Sequence, residues 1–234
     1  FVDYRGWYDK VKIQLKEILN SQYSACMNPT AGSFNITPRM QRHFVTFAVN
    51  MPTSDVQRAV FLALVDGHLR AFDPDVSKLA PKIVDATVEL YKLVANAFLP
   101  SAVKFHYQWN MRELSNVTQG LCRSVNEYYT NPLNLVRLWV HEVERVFQDR
   151  MVSEADITKF SEMRETCTRK YFEDCEADAV EARPIVYNSF MTLTPDEIGV
   201  YTGVSGYAKL KTTLEGKLQE YNENNAVMNL VLFN

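Results

Sequence analysis

At Ser54 the spacing of apolar residues along the chain changes, and that change limits the possible folds more than any other feature. Before it, Val11, Ile13 and Leu15 alternate with Lys10, Lys12, Gln14 and Lys16, the period of two expected for a half-exposed strand in a hairpin arm. "SQYSACMN" and "HFVTFAVN" are short apolar runs of the kind found in buried parallel strands, separated by a loop rich in Pro, Gly, Ser and Thr. From Ser54 onward the apolar positions recur every three to four residues. The expectation is a mixed α/β piece over 1–52 followed by a helical bundle.

Five amphipathic helices are predicted between 54 and 172. Ser54 and Gln57 form a capping pattern ahead of Val60, Phe61, Leu64, Val65 and Leu69. A second helix starts near Ser77 and carries Val84, Val88, Tyr91, Val94 and Phe98 before Pro100 ends it. After Asn110 a third places Leu114, Val117 and Leu121 on one side, with Arg112, Ser115 and Gln119 on the other. A fourth opens at Pro132, where the first turn tolerates proline, and repeats Val136, Trp139, Val140, Val143 and Phe147. Ser153 and Asp156 cap a fifth. The acidic stretch "FEDCEADAVEARP" and the irregular "TLTPDEIGVYTG" read as a linker over 173–206. Over 207–234, "YAKLKTTLEGKLQEYNE" is a charged helix, followed by the apolar run "AVMNLVLF".

Composition removes several function classes. With 47% hydrophobic and 23% charged residues the chain is too apolar to be disordered. Its 25 basic and 28 acidic side chains leave a net charge of −3 without a basic stripe, so no nucleic-acid partner is expected. No apolar run approaches the ~20 residues of a membrane span, so no membrane partner is expected either. Cys26, Cys122, Cys167 and Cys175 show no CxxC spacing, which points to a reduced, cytosolic chain. Asn35-Ile36-Thr37 and Asn116-Val117-Thr118 fit the glycosylation pattern, but matches this short are common by chance.

No GxxxxGK[ST] phosphate loop, GxSxG elbow, HExxH zinc pair or GxGxxG turn is present, so nothing in the sequence runs a reaction unaided. "HEVER" lacks the second histidine of a zinc pair and reads as polar positions on an amphipathic helix. No metal site is expected. Three polar features remain. Asn28, before Pro29, follows an apolar strand, where an amide can orient a water or a phosphate oxygen, although Asn-Pro is also a common turn. Arg39 and Arg42 lie three apart and share a face if their segment is helical; one could reach a neighbour's phosphate, or both could be solvated surface arginines. Arg112 opens a helix and could touch a phosphate or pair with Glu113 or another carboxylate.

Their order, strand amide, arginine pair, lid arginine, resembles an AAA+ module from its first sensor onward. Longer phrases sharpen this. "CMNPTAGSFNITPRMQRHF", "FLPSAVKFHYQWNMRELSNVTQGL", "LVRLWVHEVERVFQDRMV" and "LQEYNENNAVMNLVLF" resemble dynein heavy chains, at the third AAA+ module of the motor ring and its junction to the fourth, with an axonemal dynein favoured over a cytoplasmic one. The resemblance spans nearly the whole chain and is weakest over 173–206. It implies the C-terminal part of an AAA+ α/β subdomain with a hairpin insert (1–52), a mainly helical lid (53–172), a linker (173–206) and the start of the next module (207–234). Asn28 would be sensor 1 and Arg112 sensor 2, both facing nucleotide. Arg42, or less favourably Arg39, would be the arginine finger presented in trans. The implied cofactor is ATP or ADP with Mg in the intact parent, and none for the isolated segment, since the phosphate loop and acidic metal-binding strand of such a module precede Phe1. The implied partners are neighbouring AAA+ modules of the same chain, with microtubules and intermediate and light chains reached through other parts of the parent. The implied location is the cytoskeleton of the cytoplasm and of the ciliary or flagellar axoneme. A non-enzymatic helical scaffold with inert sensor residues is the alternative reading.

Overall fold

The computed structural model describes residues 1–27, 36–190 and 199–230, and the chain divides into two compact units, Phe1–Met51 and Pro52–Asn234. In the first, β1 (Gly6–Tyr8) pairs antiparallel with β2 (Leu15–Glu17), Trp7 facing Lys16. Gly6 is buried at this pairing, and a Cβ there would lie 2.2 Å from the Lys16 carbonyl oxygen, so only glycine permits the close approach. The hairpin exists, but its ladder is shorter than the alternating pattern implied. Val11 and Ile13 lie in the connection, where the Asp9 carboxylate accepts from the Val11 N–H at 2.8 Å and Ile13 adopts φ 51°. That left-handed conformation turns the chain and delays pairing to Leu15.

The two apolar runs expected as buried strands form none. Residues 21–27 and 44–50 have no regular structure, and Val45, Phe47 and Val49 are 81%, 82% and 92% exposed. A parallel strand exists only through the backbone of its neighbours, and no described residue pairs with these segments. α1 (Pro38–Gln41) is a single turn, with Pro38 at its first position and Thr37 as the extended cap residue.

The second unit is built on helices. α2 (Ser54–Leu69) packs along α4 (Ala80–Ala97), with the short α3 (Pro74–Ser77) between them in sequence. α5 (Met111–Leu121) packs along α6 (Pro132–Phe147), and α7 (Glu154–Tyr171) lies against α4. Their apolar stripes meet in one core: Phe61, Val65 and Leu69 from α2, Ile83, Leu90 and Val94 from α4, Leu114 and Val117 from α5, Phe160 and Cys167 from α7. Val136, Trp139, Val140, Val143 and Phe147 of α6 are all fully buried, as their spacing predicted. Trp139 also satisfies its indole N–H, which donates to Thr87 Oγ1 at 2.8 Å.

The caps follow the sequence at three of the helices. Asn110 accepts from the Arg112 N–H at 2.8 Å while Glu113 reaches back to the Asn110 N–H at 2.7 Å, completing a capping box. Asn131 caps α6 and Ser153 caps α7. At α2 the expectation fails. Thr53, not Ser54, holds the cap position, and the Gln57 side chain donates to the Pro52 carbonyl at 3.1 Å instead of closing a box. Val60 and Leu64, expected on the buried face, are 48% and 55% exposed, because α4 covers only the narrower stripe through Phe61, Val65 and Leu69.

Residues 173–206 were expected to be a linker. Those described carry one short helix and a short strand pair and are stitched to the bundle. α8 (Ala177–Glu181) buries Val180, and β3 (Tyr187–Asn188) pairs antiparallel with β4 (Thr202–Gly203). Arg137 of α6 donates to the Ala179 and Pro184 carbonyls at 2.6 and 3.1 Å, and Arg183 makes a two-pronged pair with Glu144 at 2.8 and 2.9 Å. Val180, Ile185 and Tyr201 of the segment join the hydrophobic core without helical spacing, and backbone and ion-pair contacts add to that hold. α9 (Tyr207–Asn224) is the charged helix expected there, and it buries none of its residues. Residues 231–234 of the final apolar run lie outside the described residues. Among those described, no helix is long and apolar enough to cross a membrane.

Candidate functional site

The helical turn of α1 puts Arg39 and Arg42 on one face, and both reach the same carboxylate. Asp3, remote in sequence, accepts from Arg42 Nη2 through Oδ1 at 2.7 Å and from Arg39 Nη2 through Oδ2 at 3.4 Å. His43 Nε2 also lies 2.7 Å from Asp3 Oδ1 and 3.2 Å from Arg42 Nε. One ring nitrogen offers either a hydrogen or a lone pair, so it serves only one of these contacts. The shorter one, to a carboxylate, is the stronger, and His43 donates there. Arg42 Nε faces the His43 ring, and Nη1 alone has no partner among the described residues. Arg42 and then His43 hold the Asp3 carboxyl down at about 2. Two guanidinium charges against one carboxylate leave the cluster with an excess positive charge.

Arg112 is the second residue of α5 and is exposed. The carboxylate that the sequence offered it, Glu113, is used elsewhere: Oε2 accepts from the Asn110 N–H and Oε1 from Arg150 Nη1 at 2.7 Å. Arg150 in turn lies over the Trp109 ring, 4.6 Å from its centroid, and donates to the His106 carbonyl. Of the two alternatives for Arg112, pairing with a carboxylate is therefore not realised among the described residues, where its guanidinium has no ion pair or hydrogen-bond partner. It adds a full positive charge to the positive end of the α5 dipole, a setting suited to an anion.

Arg39 and Arg42 belong to the first unit and Arg112 to the second. Asn28 lies outside the described residues. Asp3 and His43 went unnoticed in the sequence. The Asp3 contacts span 36 to 40 residues, and no local spacing signals them. Among the described residues no group of three His, Cys, Asp or Glu side chains is placed to hold a metal.

The "HEVER" stretch of α6, read as polar positions on an amphipathic helix, carries a buried polar network. Glu142 is fully buried and accepts from Arg145 at 2.6 Å and from the Tyr201 hydroxyl at 2.7 Å. Burial lowers the His141 pKa, and its two ring nitrogens face the Ile185 carbonyl and the Tyr201 hydroxyl. Tyr129 donates to the Tyr201 carbonyl at 2.6 Å, and burial raises both phenols. These groups anchor the segment around Tyr201 on the bundle.

Comparison with known proteins covers both units. Residues 83–182 match the family model described as AAA+ lid domain, and residues 1–52 match the P-loop containing dynein motor region. The chain is 62% identical to the dynein beta chain of the flagellar outer arm of Chlamydomonas reinhardtii, an alignment covering 99% of this chain and 5% of that protein. It is 43% identical to the ciliary dynein beta chain of Heliocidaris crassispina and 42% identical to human dynein axonemal heavy chain 17, again over 99% of this chain and 5% of each relative.

Proposed function

The chain belongs to the dynein heavy chain family, with flagellar, ciliary and axonemal members among its relatives, and we propose that it joins two AAA+ modules of a motor ring and relays nucleotide state between them. In this reading Phe1–Met51 is the C-terminal part of the third module's α/β subdomain, the helices from Ser54 are that module's lid, and α9 begins the fourth. Arg112 is sensor 2, meeting the phosphates of its own module's nucleotide. Asn28 is sensor 1 of the same site, and Arg42, or in second place Arg39, is the arginine given in trans to the preceding module.

The observation that carries this reading is the Arg112 guanidinium at the N-terminus of α5, which has no partner among the described residues and lies inside the stretch that matches an AAA+ lid. A cation at a helix start is placed where the dipole also favours negative charge, and its bonds to phosphate, ionised on both sides, belong to the stronger class. A lid holding such a cation turns when the phosphate arrives or leaves, and a lid stitched to the segment around Tyr201 carries that rotation onward. The chain contributes no phosphate loop of its own, so it completes a site and does not turn over ATP alone. The parent would be an ATP-driven microtubule motor of the axoneme, using ATP or ADP with Mg and engaging microtubules and accessory chains through its other parts.

The test is a structure of the intact heavy-chain ring with nucleotide bound. Arg112 is expected to hydrogen-bond phosphate in the module containing this chain, and Arg42 to face the preceding module's site. A ring structure with Arg112 pointing away from every nucleotide would reject the assignment.

A further inference from the structure

We infer that Asp3 is the positioning residue for Arg42, orienting its guanidinium for the phosphate of the preceding module. The inference rests on the trans-arginine reading above and deepens it. Three cationic or N–H groups, from Arg39, Arg42 and His43, converge on this carboxylate from α1, its C-cap and the residue after it. The hold on Arg42 is incomplete in a useful way: Nη2 is taken at 2.7 Å and Nε faces His43 Nε2 at 3.2 Å, while Nη1 has no partner among the described residues, so the guanidinium plane is fixed and its Nη1 end is left for a phosphate. Arg39, at 3.4 Å, is held more loosely and is 78% exposed. With two guanidiniums on one carboxylate the cluster keeps a net positive charge, as a group awaiting an anion requires. An arginine fixed before its ligand arrives loses less rotamer entropy on binding, which is what pre-organisation supplies. The Arg42–Asp3 pair is 60% and 32% exposed, and pairs this open contribute little to folding. Asp3 can therefore be changed without unfolding the unit.

The experiment uses the intact heavy chain with the phosphate loops of all modules except the preceding one disabled, and follows release of a fluorescent ATP analogue during a chase with ATP. Arg42→Ala is expected to speed release about tenfold, the size of one charge-assisted contact. Asp3→Asn should speed it about threefold or more, Asp3→Glu should restore most of the wild-type rate, and Asp3→Asn should add nothing in the Arg42→Ala background. Wild-type release from Asp3→Asn beside fast release from Arg42→Ala would overturn the positioning role while leaving the trans arginine intact. So would an Asp3→Asn effect that adds in full to Arg42→Ala. If Arg42→Ala itself releases nucleotide at the wild-type rate, the trans-arginine reading fails and this inference fails with it.

Discussion

Gly120 lies directly against the carboxylate of Glu142: a Cβ on Gly120 would sit 1.9 Å from Glu142 Oε2 and 2.7 Å from its Cγ. α5 and α6 approach this closely because one of them lacks a side chain at the crossing. The acid thus admitted to the core is compensated by Arg145 and Tyr201. Gly120→Ala should therefore destabilise the chain by about 1–3 kcal/mol, the usual cost of overpacking. Helix propensity alone predicts a gain of about 1 kcal/mol from the same change. Urea denaturation decides between the two signs.

Trp139 sets the scale for the rest of the core. It is fully buried and its indole N–H is bonded to Thr87, so Trp139→Ala should cost ~3–5 kcal/mol. A loss below ~1 kcal/mol in the same denaturation series would mean that the bundle does not close over α6.

The pH response of α7 has a defined sign. Asp156 is held down at about 2, chiefly by its bond from Lys104, with Ser153 and Tyr107 also donating to it. Its folded pKa is below its unfolded value, so the stability it contributes is complete above the ordinary carboxylate range. That contribution is lost as pH falls through that range to about 2. The stability gap between the chain and its Asp156→Asn variant should be constant from about pH 7 to about pH 5 and narrow toward pH 2. An unchanged gap at the acid end would exclude the Lys104 pair as its source.

The isolated 234-residue chain should bind ATP no more tightly than about millimolar, because it contains no glycine-rich cradle of backbone N–H groups for the phosphates. Isothermal calorimetry reads this directly, and micromolar binding would contradict it.

The helices were legible where the sequence carries its own punctuation. Asn110 with Glu113, Pro132 after Asn131, and Ser153 with Asp156 each fix a helix start locally, and the apolar spacing of α6 fixes its buried face. Where the structure depends on partners distant in sequence, the pattern misled. Val45, Phe47 and Val49 read as a strand, but no described residue pairs with them. Val60 and Leu64 read as core, but α4 does not reach them. The segment 173–206 reads as a linker, but its described residues are tied down by Arg137 to the Pro184 carbonyl, by Arg164 to the Glu181 carboxylate and by Arg183 to Glu144, contacts that leave no periodic trace. In the candidate site, the Arg39 and Arg42 pair was visible from its spacing, whereas Asp3 was not.

Nucleotide affinity at the module containing this chain, measured in the intact heavy chain with Arg112→Ala and Arg42→Ala compared side by side, tests the central claim most directly. If Arg112 meets phosphate as proposed, Arg112→Ala removes a charge-assisted contact, and affinity there is expected to weaken about tenfold or more. Arg42→Ala should leave that same site at wild-type affinity, because in the proposed arrangement its guanidinium serves the preceding module. Wild-type affinity in Arg112→Ala, or equal loss in both variants, would contradict the account.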